Sequence, residues 1–528
     1  MEALHGFEGF DLAHLVELQA RVRGGHPFLI WAPFDGEERR WSYAAFADAV
    51  ARLAGAMARR GLRSGDRLLI HLDNAPESVI AWFACARLGA TAVVTNARAS
   101  GEELAYLAEH SRAIAAVTQP KLLSVVETNC AGLRWVAVTA TDDGVPPSPN
   151  RTPSPSLSFE SLLAEGEPMP LRAPDPMLTV GVQYTSGTTS RPKGVVFTHA
   201  NGLWGAKVGA QHAALGRTDI FLIHLPLYHV IGLSYSLLAT LWAGGTVVLA
   251  PRFSATRFWD VSVRQRCTWT SMVPFCVRAL GKVDTPTAHH YRAWGNAFWS
   301  AKLERRYRLD ILGWWGMTEM VTHPIVGDAG KPGRELAIGR PAPEYDLMIR
   351  ADDGRPCGPG EVGDLSVRGV PGLSIFKEYL DDPVATAASF DANGFFLTGD
   401  RVVRHADGFI EFSERAKDVL KVGGENVGAA EIERVIMEVP GVRESAIVGR
   451  PDPMRGEVPV AFIVAAAGRD RAPPGLCEDV LSACRARLAD FKVPREVILL
   501  DELPRGTIEK VSKVELRRRL QPGRIAGV

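Results

Sequence analysis

Two rhythms of apolar and polar positions alternate over the first 140 residues. Arg67-Leu-Leu-Ile-His-Leu is a short apolar run that predicts a buried strand. Pro76 to Leu88 follows with helical spacing, placing Val79, Trp82, Phe83 and Ala86 along one side. Thr91-Ala-Val-Val-Thr is strand-like, Gly101 to His110 is helical, and Ala113-Ile-Ala-Ala-Val closes the series as a further strand. The order βαβαβ predicts a parallel sheet covered by helices. Residues 141 to 175, rich in Pro, Ser and acidic side chains, read as a surface excursion. A second α/β run extends from Leu178 to about Met272, and no internal repeat stands out.

The texture changes after about residue 335, where short strands and Gly/Pro turns dominate, as in Glu361-Val-Gly-Asp-Leu-Ser-Val-Arg-Gly. The segment from Phe409 to Lys421 leads into a final stretch with its own alternation. That stretch predicts a helix from Ala429 to Glu438, strands at Ser445–Gly449 and Val458–Val464, and a helix near Leu476 to Leu488. The reading is an α/β chain: a large N-terminal domain of stacked α/β subdomains with a small β-rich subdomain, and a small α+β C-terminal domain.

Composition narrows the class. At 528 residues the chain is too long for a single core. It is 46% hydrophobic and 23% charged, ordinary for a soluble globular protein. Lys plus Arg equals Asp plus Glu at 60 each, so net charge gives no argument for a nucleic-acid partner. The seven cysteines are scattered and form no CxxC pair, which fits reduced thiols in a cytoplasmic protein and argues against a zinc site. The N-terminus lacks a basic region followed by an apolar run, so no signal peptide is expected. No apolar stretch reaches the roughly 18 residues of a membrane span.

The densest chemistry lies at 184 to 194, Tyr-Thr-Ser-Gly-Thr-Thr-Ser-Arg-Pro-Lys-Gly, directly after the strand-like Met177–Val182. Hydroxyls and backbone N–H groups on a glycine-containing turn suit a polyphosphate, and Lys193 adds a point charge. The order is not that of a Walker A loop, because Gly194 rather than Ser or Thr follows the lysine. Further along stand Gly313-Trp-Trp-Gly-Met-Thr-Glu319, Leu397-Thr-Gly-Asp400, the run from Arg415 to Glu433, and Leu503-Pro-Arg-Gly-Thr-Ile-Glu-Lys510-Val-Ser-Lys513. An aromatic face can stack on a purine, and a carboxylate is a hard ligand for a hard cation. The two oxygens of an aspartate can each accept from one ribose hydroxyl.

These five stretches, in this order, resemble the signatures of the adenylate-forming superfamily of acyl-CoA synthetases, peptide-synthetase adenylation domains and beetle luciferases. They look most like crotonobetaine/carnitine-type acyl-CoA ligases. The resemblance implies ATP or AMP binding by Thr185, Ser186, Gly187, Thr188, Thr189 and Lys193, with Trp315 and Gly316 at the adenine, Thr318 at the α-phosphate and Glu319 on Mg²⁺. Asp400 and Arg415 would hold the ribose, and Gly295, Asn296 and Ala297 would lie against adenine and acyl group. Tyr228, His229 and Trp299 would line the acyl pocket, with His229 counted among the catalytic residues. Lys510 would bridge carboxylate and α-phosphate, while Gly423 and Gly424 would let CoA close to the backbone. Lys417 falls on the hinge position, dividing an adenylation domain, 1–414, from a mobile domain, 415–528. The chain departs from the family in having Trp315 where Tyr is commoner and Glu414 and Glu509 where Gly is usual.

The implied reaction joins a small carboxylic acid to ATP, releasing pyrophosphate, and then transfers the acyl group to CoA. Other acceptors in the wider family are a carrier-protein thiol, an amine, oxygen or a nitrite-derived group. A nucleotide-binding protein without catalysis is the reading outside the class. Trp294, Trp299, Trp314 and Trp315 suit an aryl acid by stacking or a betaine by cation–π contact, and serve equally as packing. Neither the acid nor the oligomeric state is legible.

Overall fold

The structure is a computed structural model, and it describes residues 6–145, 157–185, 191–415, 419–466, 472–504 and 511–520. Three sheets organise it. The first has eight strands, with Arg67–His71 at its centre between Thr91–Val94 and Ala115–Thr118, all parallel. This is the βαβαβ order read from the sequence. Every residue of Thr91–Val94 and Ala115–Thr118 is buried, so these strands are continuous apolar runs covered on both faces.

The helix Pro76–Leu88 starts on a proline at its first turn and stops at Gly89, whose φ of 84° closes the helix in the left-handed region. The spacing placed Val79, Trp82, Phe83 and Ala86 along one side, and the structure buries every residue of the helix. Helices Leu12–Arg23 and Tyr43–Arg59 pack over its outer side, which the local period could not reveal. The excursion at 141–175 is also less detached than its composition implies. Within its described part, Phe159–Glu165 is a helix that buries Phe159 and Leu162 against Tyr43–Arg59.

The second sheet has thirteen strands. Its parallel half contains Pro27–Trp31, Thr246–Leu249, Ile220–Ile223, Trp269–Ser271, Ala293–Asn296 and Asp310–Trp315. Antiparallel strands then extend the same sheet through Ile325–Val326, Ala337–Pro341, Ile410–Arg415, Phe396–Arg404, Val362–Arg368 and Asp346–Arg350. The β-rich region expected after residue 335 is therefore a continuation of the second sheet. The third sheet has five strands and carries the C-terminal elements. Its helices Ala429–Met437 and Leu476–Arg487 fall where the apolar spacing put them. Its paired strands Val442–Asp452 and Gly456–Ala465 run beyond the segments read from sequence. Among the described residues no helix is long and apolar enough to cross a membrane.

One buried side chain ties the first sheet to the loop that reaches the second. Thr198 and Asn201 form a reciprocal cap at the start of helix His199–His212. The Asn201 amide then donates to the carbonyls of Leu373 at 2.9 Å and Ile375 at 2.8 Å. Asn201→Ala removes both donors and one half of the cap, leaving polar groups buried at a cost of roughly 2–4 kcal/mol. A thermal melt of this variant should show a midpoint several degrees lower, and an unchanged midpoint would refute the tie.

Candidate active site

In an open α/β sheet a ligand usually binds at the carboxyl ends of the parallel strands, and the candidate residues lie at or just beyond such ends. Thr179–Thr185 and Lys193–Thr198 are antiparallel neighbours, with Thr185 paired directly to Lys193. Register thus brings the two ends of the hydroxyl-rich turn together. Ser186, Gly187, Thr188 and Thr189 lie outside the described residues. The Lys193 ammonium stands 4.7 Å from the ring centre of Tyr379. Tyr379 comes from the edge strand Glu378–Tyr379, which pairs with Val195 and Val196.

On the second sheet, Gly295 pairs with Leu312 and Asn296 with Gly313. The strand Asp310–Trp315 ends at the aromatic residue and passes through Gly316 into a short turn, Thr318–Met320. Two glycines here answer to packing. A Cβ on Gly295 would lie 1.8 Å from the Trp314 ring, and one on Gly316 would lie 2.2 Å from the Tyr235 hydroxyl. Val321, just beyond the turn, has φ of 65°, an unusual value for a β-branched residue and one that marks a constrained corner.

Asp400 and Trp315 meet. The indole N–H donates to the Asp400 carboxylate at 2.9 Å, and both residues are buried. Asp400 also stands opposite Arg415 in the antiparallel register, so the backbone places those two candidate ribose ligands side by side. Gly399 supplies the left-handed φ of 70° that the Thr-Gly-Asp turn requires. Glu319 is 5% exposed and accepts from the Tyr379 hydroxyl at 2.8 Å. Its own carbonyl accepts from the Phe376 N–H at 2.8 Å, so the loop anchored by Asn201 also fixes this turn. Among the described residues no group of three His, Cys, Asp or Glu side chains converges on one point. A lone carboxylate suits Mg²⁺, which keeps waters and takes its remaining oxygens from phosphate.

The third sheet contributes a hairpin. Val419–Val422 and Glu425–Gly428 are joined through Gly423 and Gly424, both with positive φ. Gly424 faces Val273, where a Cβ would lie at 3.5 Å, an ordinary contact. Glu425 accepts from the Tyr228 hydroxyl at 3.0 Å, and its other oxygen lies 2.9 Å from His229 Nε2. Burial pushes the Glu425 carboxyl up, but the His229 imidazole and the hydrogen bonds from His229 and Tyr228 outweigh it and hold the group below its ordinary value. Glu425 was not singled out from sequence. Its only signal was a carboxylate following two glycines, and nothing in the spacing ties it to a histidine 196 residues away.

The hairpin is seated by ion pairs between the N-terminal region and the third-sheet region. Lys492 bridges Glu103 and Glu431, lying 2.8 Å from Glu431. Arg487 meets Glu102 at 2.6 Å, and the Ser100 hydroxyl donates to the Arg487 carbonyl. Arg98 pairs with Asp490.

The four candidate tryptophans separate. Trp294 is fully buried against Tyr307, and Trp314 stacks on His323 with centroids 4.4 Å apart, so both are core. Trp299 donates to Glu304 at 2.8 Å and covers Gly333. Trp315 alone of the four reaches Asp400. Lys510 and Lys417 lie outside the described residues, as does Glu509. The seven cysteines are all free, and burial pushes the thiols of Cys85, Cys267 and Cys276 well up, which makes them poor nucleophiles.

Residues 16–380 match the AMP-binding enzyme family, and residues 431–510 match the AMP-binding enzyme C-terminal domain. The crotonobetaine/carnitine–CoA ligase of Escherichia coli O157:H7 is 34% identical over 530 residues, covering 96% of this chain and 99% of that protein. The ligase of the same name from Salmonella typhimurium is 32% identical with the same coverage. Among solved structures, the o-succinylbenzoate CoA synthetase of Bacillus subtilis, as a double mutant bound to its product analogue OSB-NCoA, aligns with a TM-score of 0.81. Its identity is 28%, covering 97% of this chain and 98% of that one. The same synthetase in complex with AMP aligns with a TM-score of 0.67 at 27% identity, covering 97% and 99%. The chain belongs to the AMP-binding enzyme family, and within it to the adenylate-forming acyl-CoA ligases.

Proposed function

We propose that this enzyme activates a small carboxylic acid with ATP and passes the acyl group to CoA. A carboxylate oxygen attacks the α-phosphorus of ATP, the bond to the bridging oxygen breaks, and pyrophosphate leaves. The CoA sulfur then attacks the acyl carbon of the adenylate, losing its proton, and AMP departs with the electron pair of the broken C–O bond. The relatives' names point to crotonobetaine- or carnitine-like acids as the first to test.

The observation that carries this reading is a Trp315–Asp400 hydrogen bond and a chain of contacts from Glu319 through Tyr379 to Lys193, while the Gly423–Glu425 hairpin reaches His229. The first group suits a nucleotide: an aromatic face, a carboxylate for the ribose, a carboxylate for a cation and a cation for phosphate. In this reading Trp315 holds Asp400 ready for the ribose hydroxyls, with Arg415 beside it. Thr318 donates to the α-phosphate, and the 185–189 turn with Lys193 holds the outer phosphates. Magnesium held at Glu319 would neutralise phosphate charge when bound. Lys510 is assigned the role of the cation between the two reacting anions, where it would stabilise the charge that builds.

The hairpin supports the second step, because Gly424 beside Val273 and Gly423 next to it in open space leave room for a thiol-bearing chain close to the backbone. One synthetase aligns with a TM-score of 0.81 as its coenzyme-analogue complex and 0.67 as its AMP complex, a difference that fits a C-terminal region able to take more than one placement. We place the boundary at 414/415 and the pivot at Lys417. Unpaired cysteines suit a reducing, cytoplasmic setting.

Incubation with ATP, Mg²⁺ and a panel of acids should give AMP and pyrophosphate only with the right acid, and with CoA a thioester detectable by mass spectrometry. AMP release without any thioester would overturn the CoA assignment, and no AMP from any acid would overturn the activity. Lys510→Ala should slow adenylate formation by about 100-fold or more. The same variant should use a supplied acyl adenylate almost normally; equal loss in both half-reactions would count against its role. Glu425→Gln keeps the size of the side chain and weakens its hold on His229. Thioester formation from supplied adenylate should fall about tenfold while pyrophosphate exchange is spared, since a hydrogen bond to a charged group contributes about 1.5–3 kcal/mol.

A further inference from the structure

We propose that Tyr379 is a positioning residue for the adenylation step. It orients the Glu319 carboxylate toward the metal of Mg·ATP and seats the Lys193 ammonium on its ring. This rests on the reading of Glu319 as the metal ligand. Nothing in the five sequence signatures marks Tyr379, which lies in Phe376-Lys-Glu-Tyr-Leu between two of them.

Two side-chain contacts and one backbone pairing converge on this residue. Its hydroxyl donates to Glu319 Oε1 at 2.8 Å. Its ring centre lies 4.7 Å from Lys193 Nζ. Its backbone is held at the sheet edge, with Tyr379 paired to Val195 and the Leu380 N–H on the Gly194 carbonyl at 2.7 Å. The strand that begins at Lys193 therefore carries Tyr379 with it in fixed register. Both Tyr379 and Glu319 are buried, at 6% and 5% exposure, so the hydrogen bond is made away from bulk water.

Chemistry agrees with the geometry. A carboxylate that serves a hard cation needs its orientation set by a donor that does not compete for the cation, and a phenol supplies one. A ring face attracts an ammonium without neutralising it, which leaves the Lys193 charge for phosphate. Tyr379 also packs on Phe376, with centroids 4.9 Å apart, and that contact alone would make it an ordinary core residue. Packing does not require a hydroxyl, so the two roles separate by substitution.

The test is calorimetric titration of ATP into the full chain at graded Mg²⁺, with no acid present. Tyr379→Phe should stay folded, melting a few degrees lower because a buried carboxylate loses one donor, yet need about 10- to 100-fold more Mg²⁺ for half-maximal ATP binding. ATP affinity at saturating Mg²⁺ should change little. Glu319→Gln should raise the same requirement, and adding Tyr379→Phe to it should bring no further loss, because the two groups act as one unit. Tyr379→Leu should in addition weaken ATP binding at saturating Mg²⁺ through Lys193. If Tyr379→Phe titrates like the wild type while Glu319→Gln is shifted, the positioning role is overturned and the metal role stands. An additive double variant overturns it too. If Glu319→Gln itself is unshifted, the metal reading fails first. Unchanged ATP affinity in Tyr379→Leu overturns the seat for Lys193.

Discussion

A buried carboxylate must be repaid in hydrogen bonds or opposite charge, or it will not stay ionised. Three such groups, Glu319, Asp400 and Glu425, stand where the two large sheets and the C-terminal hairpin meet. Each accepts from an aromatic donor: the Tyr379 hydroxyl, the Trp315 indole and the Tyr228 hydroxyl. Neutral donors fix a carboxylate without cancelling its charge, which remains for a cation, a ribose or an imidazole. The rest of the architecture keeps these donors in register. Tyr379 depends on the edge strand beside Val195, Trp315 on the end of a parallel strand, and Tyr228 on the segment after Ile220–Ile223.

The seat of the C-terminal region has a different electrostatic character. The Arg487 and Arg434 pairs to Glu102 are partly exposed, and such pairs contribute little individually and weaken with salt. Lys492 is nearly buried between Glu103 and Glu431. Burial pulls its pKa down, but the two carboxylates outweigh that and leave it above the ordinary lysine value. Only Glu103 comes from the N-terminal region. Undocking would therefore leave the Lys492–Glu431 pair intact and return Glu103 to water, where its capping role on Gly101–Ser111 persists. A seat of this kind holds a pose without stranding an unpaired charge when released. That property suits the movement of the C-terminal region that we propose between the two half-reactions.

Much of the fold was legible because it is written in local periods. The strands around Arg67–His71 and the helices Ala429–Met437 and Leu476–Arg487 lie where apolar spacing placed them. Asp400 and Trp315 were each recognisable within a short stretch of chain. Their hydrogen bond was not, because 85 residues separate them. The composition left Trp294, Trp299 and Trp314 open between a binding surface and packing. Strand alternation and helix packing turned Trp294 and Trp314 into the core and gave Trp299 to Glu304 and Gly333.

The sequence by itself determined the residue types available for the chemistry: hydroxyls and a lysine after a buried strand, an aromatic before Thr318 and Glu319, and an aspartate in a glycine turn. Its spacing also determined the α/β class, since apolar period is a local property of the chain. Tertiary structure alone decided which of these groups act together. It set Tyr379 between Lys193 and Glu319, Glu425 on His229, and Glu103 on Lys492. Those contacts join residues from 60 to 389 positions apart and exist only where sheet register and burial bring them together. No local pattern encodes them.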